Sequence, residues 1–460
     1  MIEPNFLSYK DFSARVVQKN NLFYRYIFKC YKNEYDNLMN SGLYEELIKK
    51  NLLISHIEIA ISNNDPGVYK CLFPTQLSFQ SYPYEWSFRQ WRKVIIAYLT
   101  INEIALKYGM ILKDATPYNF FLDSNKAILF DTSSFVFFND NDKWLAYRQF
   151  CEMLLGPFVL MRYNGHSWAK LYQSQLQGIS LNFISRQLPV KSWFNLTVFL
   201  HIHLHAKHIK YFSEVNKYQN LKKGFSIEKI QSMISLLKGT VISWNQPYLF
   251  KNYWDKYYEK DIENEAYIKS KQFIIENWLS FTKPLSVLDL GANTGKFSVL
   301  ASKYSEKIIA LEADENCVDE IDRIITPNKI SKIFPLVGDL SQPSPAMGVL
   351  NKEYLPIFER ANSEMVLCLA LIHHLYFTND LNFSFIAEIL SKLSFKYLIL
   401  EFVPKDDRRV KGLSSGKRHR IEGYNYESFV QSHLIFFELM DTKKLDSSNR
   451  ILFLFKKRYA

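Results

Sequence analysis

Ser286-Val287-Leu288-Asp289-Leu290-Gly291-Ala292-Asn293-Thr294-Gly295-Lys296-Phe297 joins an apolar strand, a glycine turn and a helix start in immediate succession. Gly291 and Gly295 permit a tight turn and a close approach of bare backbone, and the free N–H groups of the next helix point at the same place. Their spacing is not the G-x-G-x-x-G of dinucleotide-binding turns. The stretch therefore predicts a nucleotide-like ligand at the carboxyl end of a strand.

Four more apolar strands follow this turn, and each ends in a polar residue. Residues 307–311 end in Glu312, 21 positions after Gly291, where a nucleotide-binding βαβ unit places a carboxylate for ribose hydroxyls. The remaining strand ends carry Asp339, the pair His373 and His374, and Glu401. Because ligands bind at the carboxyl ends of strands in such sheets, the ordered set is a stronger indication than any one end.

The run Asp289-Leu290-Gly291-Ala292-Asn293-Thr294-Gly295 resembles motif I of the class I methyltransferases that use S-adenosylmethionine (SAM). The resemblance implies an α/β fold in which residues 251–460 form a Rossmann-like domain with a mostly parallel seven-stranded sheet. The cofactor contacts that it implies are Asp289, Gly291, Asn293, Gly295, Glu312, Asp339, Leu340 and Leu369.

Three residues are candidates for a catalytic base. His373 and His374 stand where an acceptor would arrive, and an imidazole titrates near neutral pH. Glu401 at the end of the next strand is the third candidate. For the histidine pair, packing at a helix start is the competing interpretation.

The first half of the chain carries a second pattern. A helical segment over residues 87–108 leads to Asp114 and Asn119 in the spacing Asp-x-x-x-x-Asn, then to a hairpin-like pair of apolar runs and Asp131. This order resembles the catalytic and metal-binding loops of the protein-kinase-like fold. The resemblance implies Asp114 as a base, and Asn119 and Asp131 as magnesium ligands for Mg-ATP.

This first half departs from the kinase pattern. Leu112-Lys113 replaces the usual His-Arg, and Thr132-Ser133 follows Asp131 where Phe-Gly is usual. Residues 1–84 contain only two glycines, which leaves no glycine-rich loop, and Lys70 is a weak candidate for the phosphate-binding lysine. A scaffold or substrate-binding role is therefore favoured over phosphotransfer. We expect a remnant of the kinase N-lobe over 1–84, a helical C-lobe over 85–250 and the methyltransferase domain over 251–460.

The combination of both halves is similar to a bacterial methyltransferase family related to a host-specific nodulation protein. The matching segments are residues 82–86, 112–119, 369–375 and 401–405. Membership would imply a SAM-dependent methyltransferase, and the association with nodulation favours a glycan as the methyl acceptor.

Composition limits the partners. The chain has 460 residues, a formal charge of +11 and five cysteines without a C-x-x-C pair, which favours reduced thiols and a cytoplasmic location. No apolar run is long enough to span a bilayer. The positive charge fits either an anionic acceptor or a Lys-rich surface, and nucleic acid is disfavoured because few aromatic residues stand among the basic residues at 405–420.

The leading hypothesis is O-methylation of a glycan or another small hydroxyl-bearing metabolite by SAM. Three alternatives stay open: a bifunctional kinase and methyltransferase, an RNA methyltransferase, and a binding module in which a kinase-like pseudokinase half recruits a partner and the methyltransferase fold is inert. The sequence does not predict an oligomeric state.

Overall fold

The structure is a computed structural model that describes residues 11–20, 22–60, 66–123, 126–208, 224–248, 265–414 and 418–458. The chain divides into two units. Unit 1 comprises Met1–Lys251 together with Met347–Tyr354, and unit 2 comprises Asn252–Ala346 and Leu355–Ala460. Among the described helices, none combines the length and the apolar composition that crossing a bilayer requires.

Unit 1 begins with a four-stranded antiparallel sheet in the order β1-β2-β4-β3. Its strands are β1 (Ala14–Lys19), β2 (Leu22–Phe28), β3 (His56–Ile59) and β4 (Val68–Pro74). Two helices, α1 (Lys32–Asn40) and α2 (Leu43–Lys49), lie between β2 and β3 in the chain. Ile27, Tyr35 and Leu72 belong to one buried cluster, so α1 packs against this sheet.

A long helix, α3 (Phe88–Lys107), forms the centre of the rest of unit 1. Ser87 caps its start, with its backbone N–H donating to the side chain of Gln90 at 2.8 Å, and most of its residues are buried, apart from one partly exposed face that includes Arg92 and Glu103. Asn102 joins α3 to the next strand, because its side-chain oxygen accepts the backbone N–H of Leu112 at 3.0 Å. This bond fixes the start of the Asp-x-x-x-x-Asn loop.

Short strands and helices complete unit 1. The strands are β5 (Met110–Leu112), which pairs with β8 (Phe135–Phe137), and the hairpin of β6 (Phe120–Asp123) and β7 (Lys126–Leu129). The helices are α4 (Tyr147–Phe150), α5 (Gly156–Asn164), α6 (Leu181–Gln187), α7 (Leu196–Val198) and α8 (Ile227–Ser243), with π-helical turns at Cys151–Leu155 and Phe199–Leu204.

The segment Met347–Tyr354 belongs to unit 1, although it lies between two strands of unit 2 in the sequence. Its Tyr354 ring lies 4.5 Å from the Tyr118 ring and 5.3 Å from the Tyr82 ring, measured between centroids. Met347 is buried in the same core. The sequence does not predict this assignment, since the segment carries no signal that separates it from unit 2.

Unit 2 is built on a seven-stranded sheet in the order β11-β10-β9-β12-β13-β15-β14. The strands are β9 (Ser286–Leu290), β10 (Lys307–Glu312), β11 (Ile333–Val337), β12 (Ser363–Cys368), β13 (Ser394–Phe402), β14 (Phe437–Lys444) and β15 (Ile451–Lys457). The first five pair in parallel, and β15 pairs antiparallel with both β13 and β14. The predicted α/β class is confirmed.

The helices of unit 2 connect these strands. They are α9 (Glu265–Thr282), α10 (Lys296–Ala301), α11 (Glu315–Ile325), α12 (Ile357–Arg360), α13 (Ile372–Phe377), α14 (Phe383–Leu393), α15 (Arg408–Ser414), α16 (Arg418–Ile421) and α17 (Tyr426–Leu434). Every residue of β9 and β11 is buried, as expected for parallel strands covered on both faces.

The strand register brings the predicted strand ends to one edge. Cys368 of β12 is paired with Leu290 of β9 and with Leu400 of β13. Gly291 and Leu369 therefore leave the sheet beside Glu401, which is the penultimate residue of β13. This edge is the place where an open α/β sheet binds its ligand.

Candidate functional site

The turn after β9 has the backbone that the glycine spacing predicts. Gly291 and Gly295 have φ angles of 68° and 78°, and Asn293 between them has 49°, all in the left-handed region. A Cβ atom at Gly295 would stand 2.8 Å from Cγ1 of Ile321. Only glycine therefore fits position 295 without displacing α11.

Glu312 lies against this turn. Its Oε2 accepts the backbone N–H of Asn293 at 2.7 Å, and its Oε1 accepts that of Asp314 at 3.0 Å. Burial raises the pKa of Glu312. A carboxylate has about four acceptor positions, so acceptor capacity remains for a ligand hydroxyl after these bonds.

Asp289 is buried beneath the same turn. Its Oδ2 accepts the hydroxyl of Ser298 at 2.6 Å. Burial, and to a smaller extent the charge of Glu312, raise the pKa of Asp289 to about 6, although Ser298 and Lys271 oppose the shift. The charge of Asp289 is therefore sensitive to pH in the range in which most carboxylates are fully ionised.

The end of β11 forms a compact polar turn. Asp339 is half-buried, and its Oδ1 accepts both the N–H and the hydroxyl of Ser341, at 2.8 and 2.7 Å. Asn379 donates to the Ser341 hydroxyl at 2.9 Å. Leu340 and Leu369 are apolar and nearly fully buried, and they lie close to these strand ends.

His373 and His374 begin α13 and differ in their surroundings. His373 is fully buried, and within the described part of the chain neither of its ring nitrogens has a hydrogen-bond partner. His374 is half-buried, and its ring centroid lies 4.4 Å from that of His373. Burial, reinforced by nearby positive groups, lowers the pKa of His373 well below its usual value, and burial also lowers that of His374.

Glu401 is the centre of a buried charge network that the sequence does not predict. Lys271 of α9 forms an ion pair with Glu401, and Tyr267 donates its hydroxyl to Oε1 of Glu401 at 2.7 Å. Arg450 donates to the Tyr267 hydroxyl at 3.0 Å and to Asp407 at 2.8 Å. Each pair joins residues more than 40 positions apart, so local sequence patterns give no signal for it.

The network determines the charge of Glu401. Burial alone would raise its pKa, but the positive charges of Lys271 and Arg450 lower it to about 2. A carboxylate with so low a pKa is a weak proton acceptor at neutral pH. Lys271 also lies 5.0 Å from the centroid of the Phe297 ring, so the network adjoins the helix that follows the glycine turn.

Asn119 and Asp131 lie together in unit 1, as their order in the sequence predicts. The side-chain amide of Asn119 donates to Oδ2 of Asp131 at 3.3 Å, and the Ser133 hydroxyl donates to Oδ1 at 2.6 Å. The buried guanidinium of Arg25 forms an ion pair with Asp131. Burial would raise the pKa of Asp131, but Arg25 and Ser133 lower it.

The other predicted residues of this region have different surroundings. Asp114 is half-buried, and burial together with the charge of Asp131 raises its pKa. Lys70 forms an ion pair with Glu58 and not with Asp131. The ion pair with Asp131 is made by Arg25 of β2, a residue that the sequence does not single out. Across the ranges that the structure describes, no group of three or more His, Cys, Asp or Glu side chains is placed to hold a metal ion.

We expect Glu401→Gln to lower the free energy of unfolding of unit 2 by about 3–5 kcal/mol, because the buried charge of Lys271 would lose its partner. Adding Lys271→Met should recover part of this loss. Denaturant unfolding monitored by circular dichroism measures both effects. Glu388→Gln is the matched control: its pair with Lys392 is exposed, and we expect a change within about 0.5 kcal/mol. Equal losses in Glu401→Gln and Glu388→Gln would contradict the assignment.

No protein-family model matches this chain. The chain is 26% identical over 389 residues to "Nodulation protein NoeA" of Rhizobium meliloti (strain 1021), a match that covers 82% of this chain and 80% of that protein.

Two solved structures are similar to part of the chain. The N-methyltransferase NodS of Bradyrhizobium japonicum WM9 has 9% identity and a TM-score of 0.32, covering 43% of this chain and 99% of its own. The magnesium protoporphyrin IX methyltransferase ChlM of Synechocystis PCC 6803 has 19% identity and a TM-score of 0.32, covering 45% and 89%. The chain is thus similar in sequence to a nodulation protein over most of its length, and unit 2 has a mostly parallel sheet with a left-handed glycine turn after β9.

Proposed function

We propose that the chain is a SAM-dependent methyltransferase that transfers the methyl group to a hydroxyl group of a glycan or another small metabolite. The observation that carries the proposal is His373, a fully buried imidazole with no hydrogen-bond partner in the described chain, at the start of α13. Buried polar groups are nearly always paired. A ligand hydroxyl that reaches His373 would satisfy it.

The cofactor would lie at the carboxyl edge of β9, β10 and β11. SAM, when bound, supplies a methyl group already activated on a sulfonium. The remaining acceptor positions of Glu312 fit ribose hydroxyls, and the bare backbone at Gly291, Asn293 and Gly295 leaves space for the rest of the ligand. Asp289 would attract the positively charged ammonium group. The adenine would lie beside Asp339, between apolar surfaces of Leu340 and Leu369.

We assign His373 as the acceptor of the hydroxyl proton; burial weakens it as a base, and the negative charge of Glu401 opposes this effect. The lowered pKa of His373 keeps the imidazole neutral at pH 7, so a ring nitrogen is available as an acceptor. As the acceptor oxygen receives the methyl group, its proton would pass to His373. We assign His374 a positioning role beside it, and the low pKa of Glu401 makes that residue a weaker candidate for the base.

For unit 1 we propose a kinase-like scaffold that does not transfer phosphate. The strand order of its sheet, the Asp-x-x-x-x-Asn loop and the hairpin that precedes Asp131 support the kinase-like reading. Arg25 supports the absence of phosphotransfer, since its guanidinium neutralises Asp131, the carboxylate that the kinase resemblance implies as a magnesium ligand. A divalent cation at this place would be repelled by the fixed charge of Arg25.

Affinity for S-adenosylhomocysteine should rise roughly tenfold between pH 5 and pH 7, because Asp289, with a pKa of about 6, changes from mostly neutral to mostly charged across this range. Lys271, Glu312 and the Ser298 hydroxyl are the groups that act on it. Isothermal titration calorimetry at several pH values measures the effect. Asp289→Asn should bind weakly with little pH dependence, and a wild-type affinity that is constant between pH 5 and 7 would contradict the role of Asp289.

His373→Gln should lower methyl transfer roughly 100-fold or more while S-adenosylhomocysteine still binds, because only the base is lost. Transfer of label from isotope-labelled SAM to hydroxyl-bearing metabolites in an extract measures it. His433→Gln is the matched control: His433 is also fully buried, but it packs against Phe455, in the antiparallel part of the sheet. Similar transfer rates in His373→Gln and the wild type would show that His373 is not the catalytic base.

Mg-ATP should give no change in the melting temperature of the full chain, since Arg25 neutralises Asp131. Differential scanning fluorimetry with ATP, with and without magnesium, measures this. A magnesium-dependent rise that disappears in Asp131→Ala would instead favour an active nucleotide site.

A further inference from the structure

Three exposed apolar side chains of unit 1 lie in one short segment, which we call the apolar tip. Val190, Phe194 and Leu196 are 76%, 87% and 61% exposed, and they lie within seven consecutive residues. Val190–Phe194 is a 3-10 helix, and Leu196 begins α7 directly after it. Single exposed apolar residues are common, but several highly exposed ones in one short segment indicate a surface that meets a protein or a membrane.

The backbone beneath this apolar tip is firmly held. Ser192 is buried, and its hydroxyl lies 2.8 Å from Nε2 of His203 and donates to the carbonyl of Pro189 at 2.7 Å. The other ring nitrogen of His203 lies 2.8 Å from the Ser185 hydroxyl. The Trp193 ring stacks on His203 with centroids 4.1 Å apart. The apolar tip is therefore presented by ordered structure.

The sequence around the apolar tip is strongly basic. No Asp or Glu occurs between residues 153 and 208, whereas five Lys or Arg residues do. Four of them, Lys170, Arg186, Lys191 and Lys207, are exposed, and Lys207 lies 5.0 Å from the centroid of the Trp193 ring. Exposed apolar side chains in a basic segment complement a partner that offers both an apolar interior and negative surface charge.

We propose that the apolar tip inserts into the surface of a membrane that contains anionic lipids, with Arg186, Lys191 and Lys207 at the level of the headgroups. The half-exposed Trp193 then lies where an amphipathic ring is favoured, between the apolar interior and water. Nucleic acid fits less well, because Val190 and Leu196 offer no flat surface on which bases stack. A second copy of the chain would bring like charges together.

Sedimentation of the full chain with vesicles tests this proposal. Wild-type protein should bind vesicles of phosphatidylcholine with phosphatidylglycerol, and should bind vesicles of phosphatidylcholine alone much more weakly. Val190→Ser combined with Phe194→Ser should lower binding to the anionic vesicles roughly tenfold or more, because two exposed apolar side chains lose their transfer into the lipid. Lys191→Glu should weaken binding to anionic vesicles only, and added salt should have the same effect.

Leu145→Ser is the matched control, since Leu145 is 71% exposed in unit 1 but lies outside the apolar tip. It should leave vesicle binding unchanged, and all variants should keep the wild-type melting temperature. The proposal is overturned if the wild type fails to bind anionic vesicles, or if the double serine variant binds as the wild type does. Self-association in sedimentation velocity that the double serine variant abolishes, without vesicle binding, would assign the tip to a second copy and also overturn it.

Discussion

The hydrogen bond from the backbone N–H of Asn293 to the carboxylate of Glu312 joins the ends of β9 and β10. It holds Asn293 in a left-handed conformation that a non-glycine residue adopts only at a cost. Because the turn keeps this shape, its backbone stays open towards the edge of the sheet. Asp289 beneath the turn and Ser298 after it are fixed by the same geometry. The features proposed for cofactor binding thus depend on one short contact between neighbouring strand ends.

The sequence predicts the parts of the site that local chemistry determines. The left-handed positions at Gly291 and Gly295 follow from residue type, and the position of Glu312 follows from the length of a βαβ unit. The charge network around Glu401 is not predictable from local sequence, because Lys271 lies on a helix before the sheet and Arg450 lies at the antiparallel end of the sheet. Pairs of this kind depend on how the chain folds back, which no local pattern records.

The same distinction holds in unit 1. The sequence shows a helix, the Asp-x-x-x-x-Asn loop, a hairpin and Asp131 in that order. The structure brings Asn119 and Asp131 into contact. Arg25 lies 106 positions before Asp131, on a strand without a recognisable motif. This cation makes the candidate metal ligand half of a buried ion pair.

Because the segment Met347–Tyr354 belongs to unit 1, synthesis of unit 1 is completed only after synthesis of unit 2 has begun. During synthesis, the residues that form most of unit 1 leave the ribosome first, but Tyr354, which lies against Tyr118 and Tyr82, follows only after β9, β10 and β11 of unit 2. Unit 1 therefore lacks part of its aromatic core until three of the seven strands of the unit 2 sheet have been synthesised. No single cut in the gene separates the two units into complete pieces.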